Sequence, residues 1–209
     1  MVEETKIIEA LKKAKEKSKK RNFSQTWDLI VNLKNIDLTK PENRFSGAII
    51  LPNKKGKKTE VCVIADSSIN EVKKLGVKYL TKDDLKKIKK TEVKKLADQY
   101  DYFLGEVTLM PQIGKILGPV LGPRGKMPKP FPPNANIKSM IESGEKTFNV
   151  NVKIPIIQGA VGSEEMKEEE VAENIKAILN FIEGKLPKGR QQIKNIFVKL
   201  TMGAPVKVV

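Results

Sequence analysis

Glu60-Val61-Cys62-Val63-Ile64-Ala65-Asp66-Ser67-Ser68 is the stretch on which the fold turns. Its apolar run is unbroken, as in a strand buried on both faces, and the polar residues that close it suit the N-cap of a helix. The same grammar repeats downstream. A helix through Lys74 leads to a short strand at Val77-Lys78-Tyr79-Leu80, and Thr81-Lys82-Asp83-Asp84 is spaced as a capping box for another helix. A Lys-rich helix then ends near Ala97, and Tyr102-Phe103-Leu104 supplies a further strand. Strands alternating with helices imply a parallel sheet, and right-handed crossovers make it doubly wound. This unit runs to about Gly144, where Glu142-Ser143-Gly144-Glu145 is expected to end a helix spanning Asn136 to Ser143.

Working outward, the pattern changes on both sides. Ile7, Ile8, Leu11 and Ala14 recur at helical spacing between Glu3 and Lys20, and Trp27, Leu29, Val31 and Leu33 alternate with mostly polar neighbours as in a half-buried strand. Gly47 to Leu51 reads as a second strand stopped by Pro52, and Asn53 to Lys58 as an exposed connection. Beyond the central unit, Val150, Val152 and Ile154 alternate with polar residues up to a break at Pro155, and a short strand follows from Ile157 to Val161. A helix from Glu168 to Ile182, closed by Gly184, precedes a last strand from Ile196 to Leu200.

Neither flanking piece has enough strands to stand alone, so they are expected to form one domain. The fold class is therefore α+β with two domains. Residues 1–56 and 146–209 make a discontinuous split β-α-β antiparallel-sheet domain of four to five strands with both helices on one face; residues 57–145 make an inserted Rossmann-like parallel α/β domain. Two adjacent linkers suggest a hinge, and the domains are expected to move relative to each other.

The chain has 209 residues, with 40 Lys+Arg against 25 Asp+Glu and a net charge of +15. Such an excess makes a polyanion, most readily nucleic acid, the default partner, although Lys- and Glu-rich surfaces also belong to thermophilic proteins. The excess is spread: residues 57–145 hold 17 basic and 11 acidic residues, and the remainder 23 and 14. The cluster Lys17, Lys19, Lys20 and Arg21 suits either a helix C-terminus or polyanion contact.

There is no histidine, which removes the commonest general base and the usual zinc ligand. The single cysteine, Cys62, sits in the apolar run as a small buried residue, so no disulfide within the chain is possible. Catalytic residues, metal and cofactor are all expected to be absent. An α/β enzyme would have only Asp66 at a strand end to work with, and a generic duplex-DNA binder would show no preference for one RNA fold. No run approaches the about 18 apolar residues of a membrane span, and the N-terminus lacks a signal core, so a cytoplasmic protein without a membrane partner is expected.

Glycine, proline and basic residues are densest in Gly114-Lys115-Ile116-Leu117-Gly118-Pro119-Val120-Leu121-Gly122-Pro123-Arg124-Gly125-Lys126-Met127-Pro128-Lys129-Pro130. This composition predicts a shaped loop rather than helix or strand. It fits neither the phosphate-binding loop, which needs Ser or Thr where Met127 stands, nor the three-glycine dinucleotide fingerprint. Its cations Lys115, Arg124, Lys126 and Lys129 can meet RNA phosphates or simply be solvated.

The run Gly118 to Pro130, the terminal Thr201-Met202-Gly203-Ala204-Pro205 and the interruption of one domain by an α/β insert closely resemble the ribosomal protein L-one family, which forms the mobile stalk of the large subunit. The likeness covers nearly the whole chain. Pro205 after Ala204, a shortened N-terminus and the lack of His resemble the archaeal branch. The resemblance implies that the split domain binds a bent, irregular element of large-subunit rRNA. It also implies that the protein binds a similar fold in its own mRNA to repress translation, and that the stalk assists release of deacylated exit-site tRNA. The free protein is expected to be a monomer. Carried onto this sequence, the RNA surface includes Phe23 and Thr26 at the entrance to the first strand and Thr201, Met202 and Gly203 after the last, with Arg21 and Lys153 as basic neighbours. Where bacterial members carry a basic residue after the Val161-Gly162 pair, this chain has Ser163. The residue types suit RNA contact, since a hydroxyl can pair with a 2′-OH, and Phe23 and Met202 offer apolar surface to sugar or base. Taken by themselves, without the resemblance, Phe23 better suits a hydrophobic staple onto the strand, and Thr-Met-Gly an ordinary exit turn.

Overall fold

The structure is a computed structural model that describes residues 4–38, 45–56, 59–66, 69–133, 136–152 and 154–208. Ser67 and Ser68 of the expected cap, Lys57 and Lys58 of the connection, and Lys153 lie outside them. The chain divides into two compact units, Met1–Lys57 with Lys146–Val209, and Lys58–Glu145.

In the first unit, helix α1 (Glu4–Glu16) buries Ile7, Ala10, Leu11 and Ala14, the stripe its periodicity predicts. Strand β1 (Thr26–Leu33) alternates strictly, with Trp27, Leu29, Val31 and Leu33 buried. Strand β2 is Ser46–Ile50. After the second unit the chain continues as β7 (Thr147–Asn151), β8 (Ile156–Ser163), helix α8 (Glu168–Lys185), β9 (Ile193–Leu200) and β10 (Val206–Lys207). The strands do not form one sheet of four to five, as expected, but two. Among the described residues, a four-stranded antiparallel sheet runs β10-β9-β1-β8, and β2 pairs with β7 in a separate two-stranded sheet. Strand β7 stops at Asn151, so Ile154, expected to continue its buried face, is 58% exposed. Both helices share one core with the inward residues of β1, β8 and β9, so they cover one face of the four-stranded sheet.

Helix α8 runs past Gly184, which was expected to close it, and ends at Leu186 in extended geometry. The reason is the next residue: Pro187 disfavours helical backbone at the position before it.

In the second unit, β3 (Val61–Ile64) is buried throughout and pairs in parallel with β4 (Lys78–Leu80) and β5 (Tyr102–Glu106), while β6 (Lys129–Phe131) pairs with β5. Cys62, Ile64 and Phe103 point into one core with helices α3 (Lys82–Lys87), α4 (Lys90–Gln99), α5 (Met110–Ile116) and α6 (Gly118–Leu121). Val61, Val63 and Leu104 point into another with α2 (Ile69–Lys74) and α7 (Ile137–Glu145). Two apolar faces explain the unbroken hydrophobic run, and burial pushes the Cys62 thiol up to about 12. Thr81 and Asp84 form the expected capping box on α3. Helix α7 is not ended by Gly144, as expected, but contains it: a Cβ there would stand 2.6 Å from the Tyr102 ring, so glycine is what lets helix and strand close up.

The Gly114–Pro130 stretch is not the loop its composition predicts. It holds the end of α5, all of α6, and the first two residues of β6. Pro111 and Pro119 sit in the first turns of α5 and α6, where a missing N–H costs nothing because that group has no helical partner. Past α6, Gly125 at φ 69° lets its N–H donate to Gly122 O (3.0 Å) and Lys126 N–H donate to Leu121 O (3.0 Å), the paired bonds of a Schellman ending.

Candidate nucleic-acid interface

The inward alternation of β1 reaches back one residue before the strand, so position 25 points toward the core side. The residue there is polar, and a polar side chain at an inward position needs internal partners. Gln25 is 1% exposed and has them. Its Nε2 donates to Ser18 Oγ just past α1 (3.2 Å), and its Oε1 accepts the N–H of Met202 in the turn after β9 (3.2 Å). Its main chain locks onto the turn after β8: Gln25 N–H donates to Glu164 Oε2 (3.2 Å) and Glu164 N–H donates to Gln25 O (2.8 Å). Through its side chain and main chain, one buried residue thus ties together the end of α1 and the turns after β8 and β9.

Beside it, β1 starts where β9 ends. Trp27 pairs with Leu200, and one residue further out Thr201 N–H donates to Thr26 O (3.1 Å). The two threonine hydroxyls lie 2.8 Å apart, and Thr201 Oγ1 also accepts the N–H of Thr26 (3.2 Å). Gly203 N–H donates to Leu200 O (2.8 Å), which closes the turn. A Cβ on Gly203 would sit 3.3 Å from Leu200 Cβ, so the glycine there relieves crowding within the turn. The three N–H groups of the turn are all engaged, while Met202 and Phe23 are 60% and 54% exposed. Large apolar side chains held out from a hydrogen-bonded frame are poised for contact.

Of the other expected contacts, Arg21 is exposed. Ser163 is 7% exposed, its hydroxyl 3.1 Å from that of Ser24, and Gly56 at φ 74° closes over it so tightly that a Cβ would overlap the Ser163 side chain. That position braces the sheet end from within.

The four cations of the Gly/Pro stretch belong to the second unit, and three have intrachain work. Arg124 pairs with Asp98. Lys126 Nζ donates to Ala97 O (2.9 Å), Tyr100 O (3.0 Å) and Asp101 Oδ1 (3.3 Å), capping the C-terminal end of α4. Lys129 Nζ lies 5.2 Å from the Tyr102 ring centre, and burial lowers its pKa. Lys115 is exposed in the last turn of α5.

Among the described residues no three His, Cys, Asp or Glu side chains are grouped to hold a metal ion, and no helix is long and apolar enough to cross a membrane. Asp66, the sole candidate for α/β chemistry, donates its N–H to the buried Glu106 (2.8 Å), whose other oxygen accepts from Thr108 (3.0 Å), so that carboxylate fastens the β3 exit to the β5 exit.

The sequence model of the ribosomal protein L1p/L10e family matches residues 11–204. Large ribosomal subunit protein uL1 of Methanothermobacter thermautotrophicus is 46% identical over 208 residues, covering 97% of this chain and 98% of the relative. The proteins of the same name from Pyrococcus abyssi and Methanocaldococcus jannaschii are 45% and 41% identical, over 97% of this chain and 95% and 94% of theirs.

Proposed function

Since the chain belongs to the ribosomal protein L1p/L10e family, we propose that it grips large-subunit ribosomal RNA with the sheet end formed by Phe23, Thr26, Thr201, Met202 and Gly203. At the coarser level, this is a large-subunit ribosomal protein that binds rRNA, a structural component of the cytoplasmic ribosome and not an enzyme.

The observation that carries the finer reading is the contrast between a turn whose three N–H groups, on Thr201, Met202 and Gly203, are all spent and two apolar side chains at that sheet end, Met202 and Phe23, with most of their surface free. A frame fixed before binding costs little ordering entropy, so contacts to sugar edges and bases convert efficiently into affinity. Arg21, exposed just before the first strand, supplies phosphate attraction. The unit holding this turn is then the RNA-binding domain, and Lys58–Glu145 is the arm it carries. Placed on the stalk, that arm helps release exit-site tRNA, with Lys115 offering the least encumbered of its four cations. The same frame recognises a similar fold in the protein's own mRNA and so represses translation.

Thr201→Ala and Met202→Ala test the assignment. Each weakens binding to a stalk fragment of large-subunit rRNA by roughly 1–3 kcal/mol with little change in salt dependence, and each weakens the mRNA leader alike. Affinity within error of the parent for both variants would remove the turn from the interface.

A further inference from the structure

The four-stranded sheet has a second face, turned away from α1 and α8. Side chains pointing to it from β1 are Thr26, Asp28, Ile30 and Asn32, the partly exposed half of the alternation. Strand register lays a row across all four strands here: Gln158 opposite Ile30, Ile30 opposite Phe197, and Phe197 opposite Lys207. Ile30 and Phe197 are partly exposed and belong to none of the hydrophobic cores formed by the described residues. Lys199, opposite Asp28, stands one row nearer the Thr26–Thr201 hydroxyl pair.

An aromatic ring backed by an aliphatic neighbour, flanked by lysines and an amide on a sheet face, has the chemistry of a platform for unpaired nucleotides: bases stack on the ring and phosphates meet the cations. Position decides between RNA and a protein partner. Thr26 lies on this face and in the hydroxyl pair at once, so the surface is continuous with the turn; from Thr26 to Ile30 along β1 is roughly 13 Å at strand spacing. Two lysines against the single Asp28 give it the sign an RNA strand requires. We propose that an unpaired rRNA segment leaving the Thr201–Met202 turn runs over this face, with a base on Phe197 and phosphates toward Lys199 and Lys207. This inference rests on the turn being the RNA interface.

The test measures binding of the full chain to a stalk fragment of large-subunit rRNA across salt, with Phe197→Leu, Lys207→Ala and Thr201→Ala compared with the parent. Leucine keeps the apolar volume but removes the stacking ring, and Lys207 is exposed, so neither variant threatens the fold; melting temperatures check this. Phe197→Leu is expected to weaken binding roughly five- to tenfold, and Lys207→Ala to lower the log-log salt slope by about one. If Thr201→Ala weakens binding while the other two behave as the parent, the platform is overturned and the turn stands, leaving this face for a protein partner. If Phe197→Leu and Lys207→Ala weaken binding and Thr201→Ala does not, this face meets RNA without the turn, and both the turn's role and the proposed path from it are overturned.

Discussion

Two stretches of this chain invite a functional reading, and the fold treats them in opposite ways. Gly114–Pro130 is rich in glycine, proline and cations, yet Pro119 starts a helix, Gly125 ends one, and Lys126 and Arg124 are turned back onto the C-terminal end of α4, where Arg124 pairs with Asp98. The Thr201–Met202–Gly203 turn is short and plain, yet its polar groups are spent on the frame and Met202 is left outside. Unusual composition reports first what a segment needs in order to fold. An interface is marked by something quieter, a held backbone with side chains left over.

The sharpest way to break this contrast is to loosen the frame without touching its surface. Gln25→Met keeps the length and volume of the side chain but strands the Met202 N–H and the Ser18 hydroxyl. Stability should fall by about 2 kcal/mol in denaturant unfolding, the scale of losing two part-buried hydrogen bonds. Affinity for the rRNA fragment, measured where the variant is fully folded, should fall at least about fivefold as the turn loses its preorganisation. Full affinity in a destabilised Gln25→Met would show that the frame serves folding alone.

How much of this is legible in the sequence follows from the range of the interactions. Period-two alternation announces β1, and the unbroken Val61–Ala65 run announces a strand covered on both sides, because each pattern is local. The same alternation, extended to position 25, marks Gln25 as a polar residue on an inward site; the signal is easily missed because the strand itself begins at Thr26. The exposed turn residues come through family resemblance, since nothing in Thr-Met-Gly distinguishes an interface from an ordinary strand exit. Helix ends mislead where glycine reads as a stop: Gly144 is packed against Tyr102, and the real stop of α8 is the Leu186–Pro187 pair. The division into two sheets, and the bonds from Lys126 to carbonyls 26 and 29 residues away, depend on tertiary approach that no window of sequence contains.

A smaller effect separates the two regions from the other side. Lys126→Met should cost about 1 kcal/mol of stability, because the last carbonyls of α4 lose a charged donor, while rRNA affinity and its salt slope stay at the parent values. A Lys126 that contacted rRNA phosphate would instead lower the slope by about one.

The smallest expected effect is the most discriminating. Arg124 and Asp98 are both well exposed, their side chains 36% and 68% accessible, so the pair is screened and contributes at most about 0.5 kcal/mol. Arg124→Ala should therefore melt almost with the parent, and stability cannot mask a binding result. Titrating rRNA across salt then asks one question of the Gly/Pro stretch. An unchanged slope keeps Arg124 on its own chain and leaves recognition with the sheet end; a slope lower by about one would mean that the ion pair opens for phosphate, and that the conspicuous stretch binds RNA after all.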